Sequence, residues 1–256
     1  MPSIFISGAA QGIGASVAEL FYQQGYHVGI YDLQLEKAQQ LAERLGERAQ
    51  AGILDVTQYS SWQTALDGFT QWAGQLNILV NNAGILYSGP FADTDIKAHQ
   101  RTIDVNVMGV LNGCHAALPW LKQAKYARVI NLSSASAIYG QPDLLSYSAS
   151  KFAVRGITEG LDLEWREHGI RVFDVMPLFV QTAMVKDMQA SSIQHLGVHL
   201  QSQDVAKQIY QLATKSTHPL STVHQPVGLQ SRLFYQLAKI TPDGINRLSN
   251  LWMSRH

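Results

Sequence analysis

The most constraining feature of this chain is a succession of short apolar runs without polar alternation, each followed by a segment of helical period. A strand with one wet face alternates apolar and polar residues. A strand covered on both faces does not, and such strands are usually parallel, because each crossover helix lies on the sheet. Ile4-Phe5-Ile6 is such a run, with a helix expected from about Ile13 to Gln24. Val28-Gly29-Ile30-Tyr31 precedes a helix over about Leu35 to Leu45, and Ile53-Leu54 precedes one near Tyr59–Ala73. Ile78-Leu79-Val80 leads into a long helical stretch from about Ile96 to Leu121. Val129-Ile130-Asn131-Leu132 leads into a helix over Ser146–Glu167, and Val172-Phe173-Asp174-Val175 is the sixth strand. Right-handed crossovers wind such units into a single α/β domain, a doubly wound parallel sheet of six to seven strands with helices on both faces. The pattern fades after Pro177. A helix is expected from about Asp204 to Thr214 and a weak strand at Thr222-Val223. A tail from Leu229 spaces Leu233, Leu237, Ile240, Leu248 and Trp252 helically, with a break at Pro242.

Composition removes several function classes. The chain has 256 residues, enough for one α/β domain over 1–256, and neither a repeat nor a linker divides it. Its 19 basic and 19 acidic residues cancel, so it lacks the electrostatic footprint of a nucleic-acid binder. The single cysteine, Cys114, excludes an intramolecular disulfide and a cysteine-cluster metal site. The nine histidines show neither HxH nor HExxH spacing, so no metal is expected. No apolar run approaches the length of a membrane span, and MPSIFISGAA has no basic leader region. A cytoplasmic protein is the expectation.

Two stretches carry chemistry. The first strand ends in Ser7-Gly8-Ala9-Ala10-Gln11-Gly12-Ile13-Gly14 and opens a helix. Glycines there permit a tight turn and let backbone N–H groups and the helix N-terminus approach a pyrophosphate, the Rossmann-like arrangement. Asp32 ends the second strand, where a carboxylate can accept adenosine ribose hydroxyls and repel a 2′-phosphate. With no Arg or Lys at positions 9–11 or 33–35, NAD is favoured over NADP. The second stretch is Tyr147-Ser148-Ala149-Ser150-Lys151, which puts a phenol and an ammonium on one helix face. A phenol near pKa 10 is a poor proton carrier at neutral pH, and a neighbouring cation lowers that pKa. Alone, a Tyr and a Lys four apart are more often a surface pair. Here Ser134 follows the fifth strand, Asn81-Asn82-Ala83-Gly84 ends the fourth, and Asn106 lies on the long helix.

With these motifs together, residues 3–182 resemble the short-chain dehydrogenase/reductase family. The resemblance implies hydride transfer between NAD(H) and an alcohol or ketone carbon. Ser134, Tyr147 and Lys151 would form the catalytic set, with Asn106 supporting a water relay to the lysine. Gly8, Gln11, Gly12, Ile13 and Gly14 would cradle the cofactor, with Asp32 at its ribose. Asp55 and Val56 would meet adenine, and Asn81, Ala83 and Gly84 the adenosine side. Tyr147, Lys151, Pro177 and Thr182 would lie at the nicotinamide end. The family usually has Pro-Gly after the sixth strand. Here Leu178 follows Pro177, which bears on the loop path, because leucine takes glycine-only backbone angles at a cost.

The substrate side would comprise Ile85-Leu86-Tyr87, Ser136 to Leu145, and a loop over about 178–203. These hold Ile138, Tyr139, Leu144, Phe179, Met184, Val185 and Met188 with few charges, Asp143, Lys186 and Asp187. Such a lining suits an apolar secondary alcohol or ketone, although about half of these side chains would pack the loop instead. Met184 and Met188 suit either a mobile lid or helix packing. The runner-up functions are an NADP(H)-dependent carbonyl reductase and a non-catalytic dinucleotide sensor on the same fold. The long helices are apolar on more than one face, so a homodimer or homotetramer is expected. In the tail, about 229–256, apolar residues mix with Arg232, Lys239, Arg247 and Arg255 against one acid, Asp243. That pattern fits peripheral membrane contact or, more simply, packing across a sheet edge or a subunit interface.

Overall fold

A computed structural model describes residues 1–186, 197–216 and 221–253. One parallel sheet runs in the order β3-β2-β1-β4-β5-β6-β7. Its strands are β1 (Ser3–Ser7), β2 (His27–Asp32), β3 (Ala49–Ile53), β4 (Ile78–Asn81), β5 (Arg128–Leu132), β6 (Arg171–Pro177) and β7 (His224–Val227). Strand residues alternate between two cores. Ile4 and Ile6 of β1 face a layer made by α1 (Gly12–Gln23), α2 (Leu35–Leu45) and α7 (Ser202–Thr214), where Val17, Phe21, Leu41 and Ile209 are buried. Phe5, between them, faces the opposite layer and packs on Trp62 and Phe69 of α3 (Tyr59–Ala73). That layer is completed by α4 (Ile96–Ile103), α5 (Gly109–Leu121) and α6 (Leu145–Glu164). Both faces are covered, which is why the strands carry unbroken apolar runs.

Three boundaries differ from expectation, each for a packing reason. The third strand lies at Ala49–Ile53, ahead of the expected Ile53-Leu54. The Tyr31 ring of β2 lies where a side chain on Gly52 would stand, so the strand is small and polar and carries no apolar signal. The last strand is His224–Val227 rather than Thr222-Val223. It is an edge strand, which tolerates Pro226, and its His224 bonds Asp174 of β6 at 2.6 Å. The long helix over 96–121 contains a π-helical turn at Asp104–Met108. The extra residue in that turn accompanies Asn106 being completely buried.

The strand order reverses between β1 and β4, so their carboxyl ends diverge and leave a crevice. Ser7-Gly8 and Asn81 to Gly84 stand at its two lips.

Candidate active site

A cavity of about 1040 Å³ opens over the carboxyl ends of the strands. Its floor is the glycine loop. Gly8 and Gly12 hold φ of 65° and 59°, the left-handed region that a side chain enters at a cost. A Cβ on Gly8 would also stand 2.7 Å from the Ala83 Cα, so the β4 loop can close on β1 only over a glycine. Gln11 gives α1 no side-chain cap, and Gln11, Gly12 and Ile13 line the cavity. Uncapped N–H groups of a first turn are thus left for an anion. Gly14 is buried behind the loop, where a Cβ would collide with the Gly8 carbonyl oxygen; it permits α1 to pack closely on β1.

At one end the cavity wall is Asp32, Gln34, Asp55, Val56 and Asn82 to Gly84. Both Asp32 oxygens accept backbone hydrogen bonds, Oδ2 from Ala10 and Oδ1 from Gln34, each at 3.0 Å. The carboxylate therefore ties the glycine loop to the end of β2 and keeps lone pairs for a ligand. Lys37, one turn into α2, donates to Gln34 Oε1 at 2.7 Å. The structure does not bring Asn81 to the wall. Its side chain turns into the core, where Nδ2 donates to Asn131 Oδ1 at 2.8 Å. Alternation along the chain presents Asn82 instead, which donates to the carbonyls of Ser7 and Gly8 and clamps the loop.

At the other end Ser134, Tyr147 and Lys151 share the cavity wall. Ser134 is delivered by the end of β5, and Tyr147 and Lys151 by one face of α6. Lys151 is 5 % exposed, and its Nζ donates to the Leu132 carbonyl at 2.6 Å. Burial lowers its pKa to about 8. Burial also pushes the Tyr147 phenol up, while a hydrogen bond with Ser134 pulls the other way. The expectation that Lys151 depresses the phenol pKa therefore needs correction for the protein alone. The ammonium stands 5.4 Å from the Tyr147 ring centroid and points its bond at a carbonyl, so desolvation dominates. The phenol is protonated at neutral pH, the state that can give a proton.

Asn106 lies beside this group rather than on the cavity wall. Its amide pairs both ways with the Ile85 backbone, accepting at 2.8 Å and donating at 2.9 Å, and donates to Ser150 at 3.0 Å. Through those bonds it fixes the loop after β4. A Cβ on Gly84 would stand 3.3 Å from Asn106 Oδ1 and 3.7 Å from Lys151 Nζ.

Two residues of the expected substrate-side stretch Ser136 to Leu145 take a hydrogen-bonding place that the sequence did not indicate. Ser134 Oγ donates to Ser136 Oγ at 3.2 Å, and Ser136 Oγ donates to Gln141 Oε1 at 3.0 Å. Ser134, Ser136 and Gln141 are all buried. They form a hydrogen-bond chain that starts at Ser134 and ends on an amide acceptor. A serine and a glutamine in a loop carry no spacing signature; only the fold of residues 134–141 brings them together.

This geometry has known counterparts. Residues 2–193 match the family described as short chain dehydrogenase. The chain belongs to the short-chain dehydrogenase/reductase family. A trans-4-hydroxycyclohexanecarboxylate dehydrogenase of Sinomonas cyclohexanicum is 35 % identical over 219 residues, 82 % of this chain and 84 % of that one. A 3-alpha-(or 20-beta)-hydroxysteroid dehydrogenase of Mycobacterium tuberculosis is 38 % identical over 179 residues, 70 % of this chain and 69 % of that one. Among solved structures, a 3-ketoacyl-(acyl-carrier-protein) reductase from Brucella melitensis complexed with NADH superposes with a TM-score of 0.84. It is 25 % identical and covers 90 % of this chain and 98 % of that one. An oxidoreductase on this fold binds a nicotinamide dinucleotide, and the uncapped helix, the positive-φ glycines and Asp32 fit one.

The family's usual glycine after Pro177 is not required here. Among the described residues the only non-glycine positive φ values are at Tyr126 and Asp143, so Leu178 takes an ordinary backbone conformation. Leu178 is buried and, with Pro177, lines the cavity. Thr182 also reaches the wall, its Cγ2 standing 3.4 Å from where a Cβ on Gly12 would be. Of the expected substrate-side residues, Ile85, Leu86, Ser136, Leu144, Phe179 and Met184 line the cavity. Tyr87 and Leu145 are exposed away from it, and Ile138 packs beneath. Asp187 and Met188 lie outside the described residues, as do the side chains of Val185 and Lys186.

Proposed function

We propose that this chain is an NAD(H)-dependent enzyme interconverting an apolar secondary alcohol and its ketone. The observation that carries the proposal is that Ser134, Tyr147 and Lys151 stand together on the wall of one cavity whose far end carries Asp32. When bound, the nicotinamide supplies hydride to the substrate carbon or accepts it. In the reducing direction the protonated Tyr147 hydroxyl gives its proton to the carbonyl oxygen. Ser134 turns its single hydroxyl proton from Ser136 to that oxygen, donates a second hydrogen bond to it and disperses the charge that develops there. Lys151 holds a ribose hydroxyl with its ammonium, and that positive charge supports the tyrosinate left behind. In the oxidising direction the same groups act in reverse.

Asp32 supports NAD(H): its carboxylate accepts ribose hydroxyls and opposes a 2′-phosphate. The NADP(H)-dependent alternative has Lys37 as its nearest support in α2, and Lys37 already bonds Gln34. A non-catalytic sensor would have no use for Ser134, Tyr147 and Lys151 together on the cavity wall. Ile85, Leu86, Leu144, Phe179 and Met184 support an apolar substrate, and two relatives' names, hydroxysteroid and hydroxycyclohexanecarboxylate dehydrogenase, support an alicyclic one. Exposed Ile103 on α4, Met108 on the π-helical turn and Leu111 on α5, with Phe152 and Leu163 on α6, support a homodimer or homotetramer. Nicotinamide absorbance with a panel of cyclic and linear secondary alcohols and ketones, using NAD(H) and NADP(H) in parallel, tests the proposal. Turnover of apolar alcohols with NAD is expected, and no turnover across the panel would overturn it.

A further inference from the structure

The two helices that end the chain leave stripes of large aliphatic side chains outside. In α8 (Leu229–Ile240) the side turned to the protein carries Ser231, Phe234, Tyr235 and Ala238. Ser231 is fully buried and donates to the Met176 carbonyl at 2.6 Å. The opposite side carries Leu229, Leu233, Leu237 and Ile240, within an arc of roughly 80° at 3.6 residues per turn. These four are 84, 54, 44 and 80 % exposed. The following helix, α9 (Asp243–Met253), likewise leaves its aliphatic side chains outside. Asn250 donates to the Gly140 carbonyl at 2.6 Å and Asn246 to the Thr241 carbonyl at 3.0 Å, while Ile245, Leu248 and Leu251 are 56, 66 and 50 % exposed. A helix packed on its own domain buries its apolar stripe. Here the packing side of α8 is small and aromatic, and seven large aliphatic side chains of the two helices face outward.

Charge decides what covers them. From Leu229 to Met253 the cations are Arg232, Lys239 and Arg247 and the only acid is Asp243, so the segment carries a formal 3 − 1 = +2. Arg232 and Lys239 lie along one border of the α8 stripe; Arg232 donates to the Pro226 carbonyl at 3.5 Å and the Lys239 ammonium stands 4.1 Å over the Tyr235 ring, and from these exposed positions both long side chains can swing to phosphate. A second copy of the chain on a two-fold axis would set one +2 surface against another, with Asp243 the single acid of each segment. An anionic lipid surface answers it directly. The geometry points to α8 and α9 as an in-plane anchor that lays the protein on an anionic bilayer. The aliphatic stripes enter the headgroup boundary, and Arg232, Lys239 and Arg247 engage lipid phosphates. No described helix is long and apolar enough to span a membrane, so the contact is peripheral.

The anchor also touches the cavity's frame. Phe234 packs edge-on against Tyr139, and Asn250 holds Gly140. Both lie between Ser136 and Leu144 of the cavity wall. The site would therefore open beside the bilayer that dissolves apolar alcohols. The anchor itself does not depend on the catalytic proposal.

The test is co-sedimentation of the full chain with vesicles of phosphatidylcholine alone and of phosphatidylcholine with phosphatidylglycerol. Binding to the anionic vesicles at least about tenfold tighter than to the neutral ones, and weakening with salt, is expected. Leu233→Gln with Leu237→Gln and Ile240→Gln should abolish it, and Arg232→Gln with Arg247→Gln should remove the preference for anionic lipid. Light scattering and thermal melting of each variant establish that it keeps the fold and oligomer size of the parent. A parent chain that stays in the supernatant with both vesicles overturns the anchor. So does a triple variant that binds as the parent does, or one whose only change is a smaller oligomer, which would make this face a contact between copies.

Discussion

Replacement of Asp32 separates two roles that the structure gives one carboxylate. Its oxygens accept from the Ala10 and Gln34 amides at 3.0 Å each, so it anchors the glycine loop besides facing the cavity. Hydrogen bonds to a charged group contribute about 1.5–3 kcal/mol each. Asp32→Ala removes both anchors together with the proposed ribose bonds. Losing two such bonds' worth of cofactor orientation, about 3–6 kcal/mol, corresponds to a fall of roughly 10²–10⁴ in kcat/KM for NAD(H). Asp32→Asn keeps one carbonyl acceptor and loses the charge, so NAD(H) turnover should fall by about tenfold to a hundredfold. With NADP(H) the repulsion of the 2′-phosphate is also lost. Asp32→Asn should therefore improve kcat/KM for NADP(H), while Asp32→Ala gains less because its loop is loose. The assay is kcat/KM for both cofactors in the parent and both variants, with the fold checked by thermal melting. A parent enzyme with equal kcat/KM for the two cofactors would refute the role of Asp32 in selection. An Asp32→Ala enzyme with unchanged NAD(H) turnover would refute the anchoring role.

Tyr147→Phe keeps the ring and its packing, so kcat should fall by about 10²–10⁴ with NADH affinity nearly unchanged; retention of more than about a tenth of the activity would remove the phenol from the chemistry. Lys151→Met should lower kcat and NADH affinity together. In the parent, NADH affinity measured by fluorescence titration should decline as pH rises through about 8, because the ammonium is the stronger donor and is lost there; a flat profile would count against the ribose contact. Gln141→Leu removes the acceptor at the end of the Ser134–Ser136 chain, and kcat should fall by roughly tenfold with NADH affinity kept; no change in kcat would leave Gln141 a packing residue. Burial opposes ionisation of Asp162, but Arg171, the Val172 amide and Arg166 outweigh it and hold its pKa below the usual carboxylate value. A depressed folded-state pKa stabilises above the unfolded value and is lost as pH falls through the folded one. Urea unfolding should show stability falling below pH about 4, and Asp162→Asn should cost about 3 kcal/mol at neutral pH and flatten that fall; an unchanged midpoint would refute it.

Much of the molecule can be read from the sequence because local rules and global fold agree there. Unbroken apolar runs such as Val129 to Leu132 exist only where both faces of a strand are covered, so they announce a parallel sheet. A strand-to-helix turn can carry glycines at 8 and 12 only because positive φ is needed, and that need is local. The four-residue spacing of Tyr147 and Lys151 is likewise a property of one helix. Elsewhere the local signal is silent or misleading. The third strand has no apolar pattern, because the Tyr31 ring of a neighbouring strand occupies the space that Gly52 leaves. Asn81 and Asn82 are indistinguishable as letters; only the direction of β4 sends the first to Asn131 and the second to the glycine loop. The pKa values of Tyr147 and Lys151 follow from burial, which no spacing encodes. Ser136 and Gln141 join the site through the path of one loop. The tail's helical period is written in the sequence, but period alone leaves open which face turns inward. Tertiary structure settled that for α8 through the Ser231 bond to the Met176 carbonyl and the burial of Tyr235, which turn one face inward and leave the leucines out.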